Sequence, residues 1–347
     1  MKKKLMALVT ITAMAAALLS GCSSPAPSNT APSNTASAKS PETTAAVSEK
    51  KADWPAKQIT IVCPFSPGGS GDTIARLIAP ELQEKLGVPV VVTNKTGAGG
   101  AVGLEAVKNA PADGYTLVYF SVDTCILKPM GVTDITCEDF TALGRAIVNP
   151  SALTVKADSP YQTMQEFIDA AKENPGMLSE GNSGTGAFWH ICASAFADAA
   201  GIELNHVPFD GAATAAAALM GGNVDSIFVA PGEIKSSIDS GDFRVLANLG
   251  ESRSLSAQDV ETGKEQGLDV TIQGWGGLAV RKETPAEIVE VLQKAFDEVV
   301  QGETVKNAIL ERGLDYNYAT GEQLNEAASQ QLKDFTALID KLGLANK

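Results

Sequence analysis

Histidine occurs only twice in these 347 residues, and none of the five cysteines forms a C-x-x-C pair. That leaves too few soft ligands to expect a structural zinc site. Apart from the N-terminal Lys2-Lys3-Lys4, basic clusters are also missing: Asp and Glu outnumber Lys and Arg 41 to 27, a formal net charge of −14 at pH 7. A chain without a basic stripe has no footprint for nucleic acid. It can still hold an anion, because N–H groups and helix ends act at contact range while salt screens the global field beyond about 8–10 Å. The nucleophile elbow G-x-S-x-G is absent, since Gly181-Asn-Ser183-Gly-Thr185 ends in threonine. There is no P-loop lysine, and Gly97-Ala-Gly99-Gly-Ala-Val102-Gly103 misses the dinucleotide fingerprint G-x-G-x-x-G by one residue. These absences predict neither metal nor cofactor.

What is present begins with an export signal. Lys2–Lys4 precede an uncharged apolar run over residues 5–19, and Leu19-Ser20-Gly21-Cys22 supplies a small-residue cleavage site. The run is too short to span a bilayer as a helix. Its end looks like a bacterial lipobox, so Cys22 is expected to be lipidated and to start the mature chain, attached to the lipid bilayer on the outer side of the cytoplasmic membrane, in the periplasm or at the cell surface. Residues 23–52 are rich in Ser, Pro, Thr and Ala, with Ala26-Pro-Ser-Asn-Thr30 repeated as Ala31-Pro-Ser-Asn-Thr35. This composition cannot build a core, which predicts a disordered tether with a reach of about 30 Å.

The folded part is organised around one stretch. Residues 59–65 are a β-branched apolar run, residues 66–71 hold three glycines, and Ile74, Leu77, Ile78, Leu82 and Leu86 recur at helical spacing. Strand, glycine turn and helix put unpaired N–H groups and a positive helix end at the tip of a strand, a natural seat for an anion. A second such turn, Gly181-Asn-Ser-Gly-Thr-Gly186, lies between another strand and helix. Repeated βα units predict an α/β protein with two lobes, each a mostly parallel sheet flanked by helices. Residues 53–150 and 248–347 are expected to form lobe 1, and residues 151–247 lobe 2. In open α/β sheets ligands collect at the carboxyl ends of strands, which would bring the two turns together across a cleft. Cys63 and Cys192 fit as buried apolar filler. Cys125 and Cys137 flank a loop, and a disulfide between them stays open.

The motifs also resemble a known family. Pro64-Phe-Ser-Pro-Gly-Gly-Ser-Gly-Asp72-Thr-Ile-Ala-Arg76 is similar to its P-F-x-P-G-G-S-x-D-x-x-A-R. Pro89-Val-Val-Val-Thr-Asn94, Gly97-Ala-Gly-Gly100, Pro111-Ala-Asp-Gly-Tyr-Thr-Leu117, residues 181–190, His206-Val-Pro208 and Gly221-Gly-Asn-Val-Asp225 continue the match in order. On these residues the chain resembles the substrate-binding proteins of tripartite tricarboxylate transporters (the TctC or Bug family). The resemblance implies a two-lobe, type II periplasmic-binding-protein-like fold, no catalysis, a monomer, and capture of a small carboxylate for membrane permease subunits. Carried over by position, the ligand-holding residues are Phe65, Ser66, Gly68, Gly69, Ser70, Gly71, Asp72 and Thr73; Ser121 and Thr124; and Ser183, Gly184, Thr185 and Gly186.

The chain departs from that pattern in three places. Phe209-Asp210-Gly211 stands where the family usually has Y-K-G, so Asp210 brings an anion where a cation is customary. Val229 and Ala230 replace polar residues after a strand, and Ala187, Phe188 and Trp189 replace small polar ones. The ligand class therefore stays open among di- and tricarboxylates, aromatic acids and amino acids, an ammonium being a natural partner for Asp210. Two other functions also stay open: a ligand-binding component of a sensory system, and a secreted serine hydrolase using Ser70 or Ser183. Against the hydrolase, neither His190 nor His206 comes late enough in the chain for the order Ser, Asp, His.

Overall fold

The computed structural model describes residues 54–345; Cys22 and the tether at 23–52 lie outside them. In chain order the strands are β1 (Ile59–Cys63), β2 (Val90–Asn94), β3 (Thr116–Ser121), β4 (Phe140–Pro150), β5 (Ala152–Lys156), β6 (Ser179–Asn182), β7 (Asn205–Pro208), β8 (Ser226–Val229), β9 (Phe243–Asn248), β10 (Gln273–Arg281) and β11 (Asp315–Thr320). The helices are α1 (Ser70–Leu86), α2 (Ala101–Lys108), α3 (Met164–Glu173), α4 (Phe188–Ala200), α5 (Ala212–Met220), α6 (Lys235–Asp239), α7 (Ala286–Gln301), α8 (Glu303–Glu311) and α9 (Gly321–Leu342).

The strands form two sheets, one ordered β11-β4-β10-β3-β1-β2 and the other β7-β6-β8-β5-β9. Strand β1 is sandwiched between β2 and β3, which is why its residues read as a continuous apolar run. The sheets are mixed rather than mostly parallel. Strands β1, β2 and β3 are parallel, as are β6, β7 and β8, but β10 and β11 pair antiparallel, and so does β5 with both β8 and β9. The antiparallel members are concentrated where the chain passes between the sheets: β4 runs straight on into β5 through Ser151, and the return leads from β9 to β10. A strand that carries the chain out of one sheet and another that brings it back do not share the direction set by βα repeats.

Local signals start and stop the helices. Helix α1 buries Ile74, Ile78 and Leu82 on one face and ends at Gly87 in the left-handed region, whose N–H bonds to the Gln83 carbonyl. Reciprocal capping boxes open α3 (Thr163 with Glu166) and α9 (Thr320 with Gln323). One apolar core lies under α1, α7 and α8 against the first sheet; the other runs continuously through α2, α4 and α9. Helix α9 reaches the α4 layer, with Phe335 edge-on to Phe188 at 6.2 Å and Lys341 Nζ 2.6 Å from Asp198. All four described cysteines are buried free thiols, and Cys125 and Cys137 lie close enough to hydrogen-bond with each other.

Candidate functional site

The first glycine turn is braced from behind. Gly68 takes a positive φ of 88°, and its N–H donates to Asp72 Oδ2 at 3.0 Å. Asp72 Oδ1 accepts from Asn94 Nδ2 at 2.8 Å and Arg76 Nε at 3.0 Å, and Asn94 Nδ2 also reaches the Phe65 carbonyl at 2.9 Å. Burial pushes the Asp72 carboxyl up, but the hydrogen bonds from Arg76, Asn94 and Gly68 together outweigh it and hold it below its ordinary value. Asp72 is thus spent on holding the turn in shape.

The second glycine turn is braced in the same way from the second sheet. Asn182 Oδ1 accepts the Gly184 N–H and His190 Nδ1 accepts the Gly186 N–H, each at 3.0 Å. Burial, with help from nearby His206, pushes the His190 imidazole down to about 4, so at neutral pH it stays uncharged and can accept. Behind the turn, Glu180 is fully buried, and its Oε2 meets His206 Nδ1 at 2.9 Å and Asn182 Nδ2 at 3.1 Å.

The two turns line opposite sides of one cavity of about 920 Å³. Of the residues expected from sequence, Phe65, Ser66, Gly68, Gly69, Ser70, Gly71, Thr73, Ser121, Ser183, Gly184 and Asp210 line it, and so do Phe188 and Trp189. Asp72, Thr124, Thr185 and Gly186 do not. Asp72 faces its braces; Thr124 is buried and donates to the Ser121 carbonyl at 2.7 Å; Thr185 is exposed to solvent; Gly186 is turned toward His190. Gly71 is held tight for another reason: a Cβ there would come within 2.7 Å of the Tyr119 ring. Asp210 lies exposed at the rim.

Several lining residues were not named from the sequence as ligand-holding: Tyr119, Asn149, Glu233, Trp275 and Arg312, and Asp123 between the expected Ser121 and Thr124. Asp123 and Glu233 change the electrostatics most. The Ser70 hydroxyl at the start of α1 donates to Glu233 Oε1 at 2.7 Å, a bond between residues 163 apart in sequence that ties the first glycine turn to the segment after β8. Helix α1 has no side-chain cap of its own from Gly69, so Glu233 supplies a carboxylate there from the opposite lobe. Burial pushes the Glu233 carboxyl up, and its contacts with Ser70 hold it back in part. Asp123 is the counterpart from the first lobe. Burial pushes its carboxyl up to about 6, while the Ser121 hydroxyl and the backbone N–H groups of Asp123 and Phe188 oppose the rise. Phe188 is the first residue of α4, another helix without a side-chain cap. Each of the two helix starts facing the cavity therefore meets a carboxylate from across it.

No histidine lines the cavity among the described residues. Ser70 donates to a carboxylate, and both histidines are engaged in bracing the second turn, so neither serine has an imidazole base beside it. Among the described residues no group of three His, Cys, Asp or Glu side chains is placed to hold a metal ion.

Comparison with known proteins agrees with this geometry. Residues 74–344 match the model of the tripartite tricarboxylate transporter family receptor, TctC. A relative from Cupriavidus necator, the UPF0065 protein in the gbd 5' region, is 32% identical over 306 residues, covering 87% of this chain and 92% of its own. The crystal structure of a TctC solute binding protein from Polaromonas superposes with a TM-score of 0.69 at 36% identity, covering 83% of this chain and 99% of that one. The R. palustris protein Rpa4515, solved with adipate, superposes with a TM-score of 0.78 at 26% identity over 84% of this chain and 99% of that one. With two sheets, a cavity between two braced glycine turns and a family match over most of its length, this chain belongs to the TctC family of extracytoplasmic solute-binding proteins.

Proposed function

We propose that the protein captures a small carboxylate in the cavity between its lobes and delivers it to the membrane permease subunits of a tripartite tricarboxylate-type transporter. The observation that carries this is the pair of glycine turns lining one cavity, each held in shape by its own side-chain braces. The adipate-bound relative shares the fold over nearly its whole length, which supports a small organic acid as the ligand. Backbone N–H groups and the hydroxyls of Ser66, Thr73 and Ser183 are the donors for the acid group, with no side chain to reorganise far on binding.

A thermal-shift screen over dicarboxylates, tricarboxylates, aromatic acids and amino acids tests the proposal. A ligand present at a hundred times its dissociation constant adds about 2.7 kcal/mol of stability, which such a screen detects. Stabilisation by neutral sugars or metal ions alone overturns it.

The protein works as a monomer on a lipid anchor at Cys22, with residues 23–52 as its tether. Wild type is then recovered in membranes with acyl chains on Cys22 by mass spectrometry, and Cys22→Ala is released or left unprocessed. An unmodified mature terminus at any other residue contradicts the anchor.

A further inference from the structure

Cys125 and Cys137 take no part in the cavity, yet they meet. Cys125 closes the short 3-10 turn Val122–Cys125, and Cys137 opens another, Cys137–Asp139. Both side chains are buried, at 0% and 3% exposure, and lie within hydrogen-bonding reach of each other. Cys125 Sγ also donates to the Ala328 carbonyl of α9 at 3.4 Å, which places the pair under that helix. Each backbone is fixed locally. The Thr124 hydroxyl donates to the Ser121 carbonyl at 2.7 Å, and Thr136 forms a reciprocal capping box with Asp139 around Cys137.

The segment between the two cysteines, residues 126–136, backs the cavity. A Cβ on Gly186 would come within 2.7 Å of Met130 Cε, and one on Gly99 within 3.3 Å of Leu127 Cδ2. Gly99 lines the cavity and Gly186 ends the second glycine turn. Two thiols in contact either share a metal or join. Among the described residues no third His, Cys, Asp or Glu is placed beside them to hold a metal ion. The family is extracytoplasmic, and outside the cytoplasm disulfides form and persist.

We propose that Cys125 and Cys137 are a disulfide site: the structure holds the dithiol form, and oxidation joins the two sulfurs into a staple closing residues 126–136 behind the cavity. The oxidant is itself a disulfide, that of a thiol-oxidising protein or of oxidised glutathione. One cysteine thiolate attacks it, forming a mixed disulfide and expelling one oxidant thiolate. The second cysteine thiolate then attacks the sulfur of the first and expels the other. One S–S bond breaks in the oxidant and one forms in the protein; two electrons and the two thiol protons pass to the expelled thiolates. Both folded thiols are out of reach of a bulky oxidant, so the exchange takes place while the exported chain is folding. The staple stabilises by restricting the unfolded chain.

Peptide mapping tests the proposal. The full chain, expressed with residues 1–22 in place so that a bacterial host exports it, is denatured, alkylated without reductant and cut before Asp134. That cut puts the two cysteines in different peptides. Cys125 and Cys137 should be recovered joined, with Cys63 and Cys192 alkylated, and refolding from denaturant with oxidised glutathione should give the same link. The joined form should melt about 5 °C or more above the same chain refolded with reductant. Amide exchange over residues 126–136 should be tenfold or more slower in the joined form. Reductant should move the melting temperatures of Cys125→Ala and Cys137→Ala by no more than about 1 °C. The wild-type comparison stands by itself if either variant fails to fold. Recovery of both cysteines alkylated from the exported and the refolded chain overturns the proposal, as does a link from either to Cys63 or Cys192. A Cys125–Cys137 link that leaves melting temperature and exchange unchanged on reduction overturns its role as a staple.

Discussion

Gly277→Ala should lower the stability of the folded domain by about 4 kcal/mol or more, among the largest effects a single methyl can have. Gly277 lies in β10, at the register shift where that strand pairs with β4. A Cβ there would sit 1.9 Å from the Gly144 carbonyl oxygen and 2.9 Å from its carbon. Both are backbone atoms in the middle of the six-stranded sheet, so no side chain can swing aside and two central strands must part. For a domain of this size the expected fall in melting temperature is about 8 °C or more. Gly69→Ala is the control. Its nearest new neighbour is the Ser66 carbonyl at 3.7 Å, and its effect on stability should stay within about 0.5 kcal/mol. Melting temperatures for the two variants that fall within a degree or two of each other would show that the β10–β4 contact is softer than its geometry indicates.

His206→Ala should cost about 3 kcal/mol, because it removes the partner of a buried charge. Glu180 is fully buried, its Oε1 has no partner, and Oε2 depends on His206 and Asn182. Burial raises the Glu180 carboxyl above its ordinary value, and the hydrogen bonds from His206 and Asn182 oppose that rise. Without His206 the carboxylate must either stay charged with too few donors or take up a proton, and each alternative is unfavourable at neutral pH. The double variant His206→Ala with Glu180→Gln removes the charge along with its partner and should recover about half of the loss. The consequence reaches the site. Asn182 also accepts the Gly184 N–H, and the rings of His206 and His190 meet edge-on with centroids 4.7 Å apart. A loosened Glu180 therefore slackens the second glycine turn, and ligand affinity should fall with stability. Denaturant titration of wild type, both single variants and the double variant measures the cycle. Were His206→Ala to cost under 1 kcal/mol with affinity unchanged, His206 would be a surface residue with no part in bracing the turn.

Much of the fold was legible in the residues. The run at 59–65 became β1, the glycines that follow became the turn into α1, and the helical periodicity of Ile74, Ile78 and Leu82 became its buried face. Those features are local: period, branching and glycine act within a few residues of themselves. Strand β10 was not legible. Gln-Gly-Trp-Gly-Gly-Leu carries three glycines and poor strand propensity, yet it lies between β3 and β4 in the sheet. Its glycines serve contacts made elsewhere in the chain: a Cβ on Gly276 would lie 1.9 Å from Tyr119 Oη, and one on Gly277 would strike Gly144. Strand direction was likewise hidden, because the alternation of strands and helices does not say which strands carry the chain between sheets.

The site divided along the same line. The two glycine turns announced themselves in sequence because the chemistry of a tight turn is written in neighbouring residues. That Asp72 braces the first turn from behind, instead of facing the cavity, depends on Asn94 and Arg76 arriving at it in space. Glu233 had no motif at all, and Asp123 went unnamed between Ser121 and Thr124. Sequence determined two glycine turns on an acidic chain; tertiary structure alone decided that a carboxylate from each lobe meets a helix start of the other. Charge acts through distance, and the distance between Ser70 and Glu233, 163 residues apart along the chain and 2.7 Å apart in space, exists only once both sheets have folded.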